Sequence, residues 1–440
     1  MVLPTLPHLL SPFLGRSNCV GSCGEPEGLL IAVPDMPNLI LLPSVMSLDP
    51  SAAQMHDGDP SVLGLGLMRR TSMAARRAGY GLIFFLARDR PAPAGITLVS
   101  DWGMLADALL PPQATSLVIA PATILSETHW LKGLATIEPI AWAAIPHRIV
   151  LLAATAVPDA LAVLQVEGGA CDLRAVEERL TRRFGPPAAI STEIDPMILA
   201  KLQDIPAAEQ RLLHGLVKET DGFMARHFDR RISLQITRRL APTSVTPSQV
   251  TLISTTLGLF GAPFFLSELW HWQTLGALLF LLHSIVDGCD GELARLKFQE
   301  SKYGGILDFS GDNIVHLAVF GCMAVGWAQS AAATWPLWLG GTAIVATLGS
   351  AGFVYWRQLR PKEGSGPLFT SVSAVSDHPL AGMLDTASRR DFIYIVPILA
   401  LFGKANGLLL LAAVGTPIFF FLLVFHALRG GLQRRTDNIR

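Results

Sequence analysis

The chain has 440 residues, half of them hydrophobic and only 16% charged, with a formal net charge of -1. That balance excludes a general nucleic-acid binder, which needs a basic surface, and the apolar excess, concentrated after residue 245, points to a soluble part joined to a membrane part. Five cysteines (Cys19, Cys23, Cys171, Cys289 and Cys322) are scattered and odd in number, which argues against a disulfide framework and, with no His or Cys cluster to complete it, against a four-ligand zinc site.

Residues 1–27 are interrupted by Pro4, Pro7 and Pro12 and lack the basic start and unbroken apolar core of a signal peptide. They are expected to form a disordered tail. Over 28–187, short apolar runs at 29–33, 81–87, 96–100, 116–119 and 149–153 read as buried strands, and 62–78, 102–110 and 173–184 read as helices. Such alternation predicts a soluble α/β domain with a mostly parallel sheet. Residues 188–245 read as a linker and juxtamembrane segment. Within it, 207–217 has helical spacing, and 226–239 is a basic amphipathic stretch (Arg226, Arg230, Arg231, Arg238, Arg239) suited to an anionic leaflet.

At 246–430 the chain becomes a polytopic α-helical membrane domain. Thr246, Pro247 and Gln249 make a capping box with proline at the first helical position. Six transmembrane helices are expected, at roughly 247–266, 272–297, 304–328, 333–356, 391–403 and 406–427. Lys and Arg concentrate before the first span, at Lys297 and Lys302, between Arg357 and Arg390, and near the end at Arg429, Arg434 and Arg435. The positive-inside rule then places both termini, with the tail 431–440, in the cytoplasm. The expected setting is a bacterial inner membrane, with the soluble domain and the acidic site facing the cytoplasm.

The informative stretch is Asp287-Gly-Cys-Asp290-Gly291-Glu-Leu-Ala294-Arg295, followed by Gly304, Asp308 and Asp312. On a helix, 287, 290, 291, 294 and 295 share one face, and 304, 308 and 312 share a face of the next. The short loop between predicts antiparallel neighbours whose four carboxylates converge near the cytoplasmic end. An aspartate at mid-bilayer costs ~2.5–3.5 kcal/mol, so a compensating cation is expected. Oxygen donors select Mg²⁺, Mn²⁺ or Ca²⁺, and two such ions can clamp a pyrophosphate. Gly291 and Ala294 leave room for a bulky group, and Arg295 can meet a phosphate.

The spacing Asp-x2-Asp-Gly-x2-Ala-Arg-x8-Gly-x3-Asp-x3-Asp resembles the signature of the CDP-alcohol phosphatidyltransferases, and the resemblance covers about residues 210–430. It implies that Asp287, Asp290 and Asp308 are ligands of a two-metal Mg²⁺ or Mn²⁺ site. Asp312 would be a further ligand and the general base, and Asp287, Gly291, Ala294, Arg295 and Gly304 would line the CDP site. Ser248 departs from the Asn that often follows Thr-Pro in the family. The implied partners are a CDP-linked lipid or alcohol donor, an alcohol acceptor and membrane lipids, with no nucleic acid; a homodimer is left open. Rival readings are an intramembrane divalent-cation carrier and a non-catalytic scaffold.

The segment 213–233 resembles the junction in fused nucleotidyltransferase–phosphotransferase proteins. However, Val33-Pro34-Asp35-Met36-Pro37 is no Gly-rich phosphate loop, and Ile119-Ala120-Pro121-Ala122 lacks a metal-binding Asp. A degenerate nucleotidyltransferase-like domain of regulatory or scaffolding use is therefore expected. The pair Gly64 and Gly66 is weak evidence for phosphate binding. Arg357, Arg360 and Arg390 (with Arg389) are candidates for acceptor or lipid phosphate, although topological signalling explains them equally. His316 is read as a packing residue. Since every recognisable chemical residue lies beyond 285, the membrane half is expected to retain measurable phosphotransfer without residues 1–187, provided the remainder folds.

Overall fold

The computed structural model describes residues 36–43, 55–56, 59–87, 92–109, 115–166, 172–190, 194–217, 224–356 and 393–437. The first half runs β1 (Asn38–Leu42), β2 (Met55–His56), β3 (Asp59–Val62), β4 (Leu65–Gly66), α1 (Leu67–Ala78), β5 (Ile83–Leu86), β6 (Thr97–Val99), α2 (Trp102–Leu109), β7 (Leu117–Pro121), β8 (Ile124–Leu125) and α3 (Thr128–Ala135). It continues through β9 (Trp142–Ile145), β10 (Ile149–Leu152), α4 (Val157–Val166), α5 (Leu173–Phe184), β11 (Ala188–Ala189), β12 (Met197–Ile198) and α6 (Ile205–His214).

Seven strands form one sheet in the order β11-β9-β10-β7-β1-β5-β6. β1 lies parallel to β5 and β7, whereas β10 runs antiparallel to β7 and β9. Every residue of β1 is buried, as befits a strand covered on both faces. Leu39, Leu41, Phe85 and Val118 pack toward α1 and α3, and Ile40, Leu42, Phe84 and Ile119 toward α2, α4 and α5. The strand expected at 29–33 lies outside the described residues, and the central strand is 38–42, a run bracketed by Pro37 and Pro43 to which the sequence reading assigns no element. The boundary at 187 also moves. β11 pairs with β9 and β12 pairs with β8, so the α/β fold continues through Ile198.

The second half comprises α7 (Arg230–Leu240), α8 (Pro247–Gly261), α9 (Trp270–Lys297), α10 (Lys302–Ser330), α11 (Trp335–Val354), α12 (Ile395–Leu401) and α13 (Asn406–Asp437). Thr246 and Gln249 form the expected reciprocal cap on α8. Among the described residues five helices, not six, are long and apolar enough to cross a bilayer: Pro247–Leu266, Trp270–Lys297, Lys302–Ser330, Trp335–Val354 and Asn406–Phe425. The segment expected as a further span at 391–403 is described from 393 and holds α12, which has 7 residues. At 1.5 Å per residue such a helix covers only about a third of a ~30 Å hydrocarbon core.

α8 is the seam of the bundle. α9 and α10 each pack their backbones against α8 and meet one another through side chains, as where Phe280 lies against His316. Gly311 explains part of this, because a Cβ there would lie 2.4 Å from Thr255 Oγ1 on α8. Small residues let membrane helices approach closely.

The two halves share a core. Val62, Leu63, Leu67, Leu125, Leu199 and Ala208 are buried together with Ala241, Val250, Cys289, Leu293 and Leu296. The β3–β4 hairpin turns through Leu63 and Gly64, with φ of 52° and 76°. A Cβ on Gly64 would lie 2.5 Å from Pro242 Cα, so this glycine serves close packing against the membrane half. Beneath the start of α1, Asp59 accepts the Met68 N–H at 2.9 Å, and burial pushes its carboxyl up to about 6 despite that bond. Arg70, 2% exposed, donates from Nη1 to the Leu296 carbonyl and from Nη2 to the Val62 carbonyl, both at 3.2 Å. Burial lowers its guanidinium to about 10, which leaves it charged at neutral pH.

Candidate functional site

α9 enters the bundle at Trp270 and ends at Lys297, so its acidic turns lie at the end away from Trp270 and Trp272, both exposed. Tryptophans of this kind suit a membrane–water interface. Asp287 and Asp290, on the buried face of α9, are 2% and 7% exposed. Asp308 and Asp312 face them from α10 and are half-buried. Carboxylate oxygens of Asp287, Asp290 and Asp308 all lie within 4.8 Å of one another. Atoms of His283, Asp287 and Asp312 form a second group within the same distance, sharing Asp287.

The structure thus brings together all four aspartates named by the sequence. Three carboxylates this close in an apolar bundle repel one another strongly unless a cation lies among them. All-oxygen donors fit a hard divalent ion, so the acidic residues are grouped to hold a metal.

α8 supplies polar support that the sequence reading missed. The Thr251 hydroxyl hydrogen-bonds Asp290 Oδ2, and Ser254 Oγ lies 3.4 Å from Asp287 Oδ1. His283, 1% exposed, stands one turn before Asp287. Its Nδ1 is 2.8 Å from the Ser254 carbonyl oxygen and its Nε2 is 3.4 Å from Asp312 Oδ1. A carbonyl oxygen can only accept, so Nδ1–H donates to Ser254. The signal was present, since an ionisable residue inside an apolar span is a functional candidate by default.

Glu292, within the same motif, is fully buried. It accepts from Arg230 Nη1 at 2.5 Å, Ser233 Oγ at 2.7 Å and Thr237 Oγ1 at 2.7 Å. These three donors lie on α7, so the basic helix is pinned to α9, while Arg226, Arg231, Arg238 and Arg239 remain exposed. Nearby, the Tyr394 hydroxyl donates to Asp229 Oδ1, tying the segment before α12 to the start of α7.

The other expected site residues divide. Around Gly291 a Cβ would meet only Arg295 Nη1, at 3.4 Å, so that helix face is open beside Ala294 and Arg295. Gly304 lies in the first turn of α10, where its N–H donates to the capping Ser301 Oγ at 2.9 Å. Arg357, Arg360 and Arg390 lie outside the described residues. His316 Nδ1 sits 2.7 Å from the Asp312 carbonyl oxygen and its ring meets Phe280 edge-on, a packing arrangement.

Residues 245–414 match the family CDP-alcohol phosphatidyltransferase. A bifunctional IPC transferase and DIPP synthase from Thermococcus kodakarensis is 36% identical over 154 residues, 35% of this chain and 33% of that protein. An archaetidylinositol phosphate synthase from Pyrococcus horikoshii is 26% identical over 194 residues, 44% of this chain and 89% of that protein. A crystal structure of phosphatidylinositol phosphate synthase from Mycobacterium tuberculosis, with CDP-DAG bound, aligns at 23% identity and a TM-score of 0.30 over 43% of this chain and 90% of that one. The matched stretch spans about a third of the first of these relatives. The C-terminal region is a CDP-alcohol phosphatidyltransferase domain, and with its apolar helices the chain is an integral membrane protein.

Proposed function

We propose that this CDP-alcohol phosphatidyltransferase domain transfers a substituted phosphate group from a CDP-linked donor to an alcohol and releases CMP. The observation that carries the reading is the convergence of Asp287, Asp290, Asp308 and Asp312 from two helices at one end of the bundle. Asp287, Asp290 and Asp308 would hold Mg²⁺ or Mn²⁺, with Asp312 as a further ligand at a second position that shares Asp287. When bound, such ions supply positive charge against the donor's pyrophosphate.

Asp312 takes the proton of the acceptor hydroxyl. The hydroxyl oxygen forms a bond to the phosphorus that bears the donor's non-nucleotide group, and the P–O bond to CMP breaks. His283, whose Nε2 lies 3.4 Å from Asp312 Oδ1, is the neighbour that positions Asp312. Arg295, on the open helix face of Gly291 and Ala294, meets the nucleotide phosphate. Donor and acceptor belong to phospholipid or polyol-phosphodiester synthesis, with CDP-diacylglycerol the first donor to try. Inositol phosphates lead the acceptor panel, because the name of the Pyrococcus horikoshii relative contains one. The positive-inside distribution supports a site on the cytoplasmic side.

The test is detergent-purified protein with Mg²⁺ or Mn²⁺, CDP-diacylglycerol or a soluble CDP-alcohol, and a panel of polyol phosphates, glycerol phosphate and lipid alcohols. CMP release that requires one acceptor names the reaction. No CMP with any pair, together with divalent flux in proteoliposomes, would replace the transferase by an ion carrier.

A further inference from the structure

The turn that joins the two acidic helices is held by the α/β half. α9 ends at Phe298 with φ of 56°, a left-handed conformation that glycine adopts freely and a bulky residue does not. The Phe298 side chain leaves the bundle and packs against the α/β core beneath α1 and α3. The guanidinium carbons of Arg70 and Arg77, two turns apart on α1, lie 5.8 and 4.8 Å from its ring centroid, within cation–π range. Arg70 also donates to the Leu296 carbonyl, and Arg77 pairs with Glu300. One face of α1 therefore grips residues 296, 298 and 300.

This grip acts on the turn that joins the two acidic helices. α9 and α10 each pack their backbones on α8 and meet one another through side chains, Phe280 with His316 and His283 with Asp312. The turn adds a further constraint on their acidic ends. A ligand set must be held within about 0.5 Å of its working geometry.

We propose that the α/β half is a brace for the metal site. Through Arg70 and Arg77 it clamps the 296–300 turn and so sets the spacing of Asp287 and Asp290 against Asp308. Arg70, Arg77 and Phe298 are positioning residues, and the half that lacks the marks of nucleotide chemistry still acts on the reaction. The inference rests on Asp287, Asp290 and Asp308 as metal ligands.

The test is Mn²⁺ binding to the full chain without donor, read from the free-ion EPR signal, with CMP release measured in parallel. Arg77→Glu and Glu300→Arg should each raise the Mn²⁺ Kd about tenfold, and the charge-exchanged double variant, which regains the ion pair but not the contact with the Phe298 ring, should restore it in part. Phe298→Gly keeps the left-handed cap and removes only the ring, and should weaken Mn²⁺ binding similarly. Arg77→Gln, at a half-exposed position that the fold tolerates, should give a milder loss of about threefold. Because a displacement near 1 Å can cost ~10²-fold in rate, turnover should fall further than affinity.

Unchanged Mn²⁺ affinity in Phe298→Gly and Arg77→Gln, beside a wild type that binds Mn²⁺ and releases CMP, would overturn the brace alone. A double variant no better than either single would do the same. A wild type that binds Mn²⁺ without releasing CMP under any condition would overturn the transferase reading instead, and one that binds no Mn²⁺ would remove both.

Discussion

Replacing Glu292 by alanine should detach α7 from α9. The carboxylate is fully buried and is met by Arg230, Ser233 and Thr237. Without it the Ser233 and Thr237 hydroxyls, 2% and 0% exposed, lose their acceptor, and they can turn back to helix carbonyls for partial relief. Arg230, whose side chain is 15% exposed, loses its charge partner in a poorly solvated place. Breaking a buried pair by removing one member costs about 3–5 kcal/mol. Glu292→Gln keeps the volume and one acceptor oxygen, so its cost should be nearer 1–1.5 kcal/mol, about that of one net hydrogen bond. At 2–4 °C per kcal/mol for a unit of about 200 residues, the midpoints should fall by roughly 10 °C for alanine and roughly a third of that for glutamine. Size-exclusion profiles of heated, detergent-solubilised protein measure this directly. Cys289, buried with its Sγ 3.6 Å from the Ser233 carbonyl oxygen, supplies a second readout, since its maleimide reaction should accelerate in the alanine variant of a chain with no other cysteine. Equal midpoints for wild type and Glu292→Ala, with Cys289 still protected, would refute the reasoning.

Asp312→Asn should lower CMP release by about 10²–10⁴-fold, the usual size of a lost general base, while donor binding survives. Asp287→Asn should instead weaken Mn²⁺ and donor binding together; near-normal turnover in Asp312→Asn would move the base elsewhere. Chelation should abolish CMP release, and added Mg²⁺ or Mn²⁺ should restore it; full activity in excess chelator would remove the ion from the reaction. His283→Ala should reduce turnover with little effect on donor KM, and a kcat equal to wild type would show that Asp312 needs no such support. For Asp59 the folded carboxyl titrates at about 6, above the ordinary value of about 3.9. A raised carboxyl pKa makes the folded state bind its proton more tightly, so stability is fully present below about 3.9 and declines as pH rises through about 6. Between pH 4 and pH 7 the wild type should therefore lose up to about 3 kcal/mol relative to Asp59→Asn, at 1.36 kcal/mol per unit. Parallel stability–pH curves for the two proteins would exclude this role.

The acidic site was legible because helix geometry turns spacings of three and four residues into one face, and no tertiary information is needed to see Asp287 and Asp290, or Asp308 and Asp312, side by side. His283, Thr251 and Ser254 also lay in plain view as polar residues within apolar spans, but their meaning depends on α8 lying against α9. The partnership of Glu292 with Arg230 joins positions far apart in sequence, and nothing local announces it. β1 escaped because Pro37 and Pro43 bracket a five-residue run that carries no alternation to mark it. The shared core of the two halves is not visible in the sequence. Chemistry-bearing residues cluster beyond 285, yet Val62, Leu63, Leu67 and Leu125 complete the same core as Val250, Cys289 and Leu293, so the folding of the membrane half on its own is what its activity without residues 1–187 depends on.

That common core also bears on how the protein is made. Val250, Leu293 and Leu296 sit at the ends of α8 and α9 that face the α/β half, which covers their apolar side chains. Their cover comes from segments translated earlier, so it can be folded and waiting when each helix is inserted. The amino-terminal half thus has the position of a built-in chaperone for the helices that follow it. A chain with the two halves in exchanged order would present the same residues bare during synthesis, when exposed apolar surface most readily aggregates.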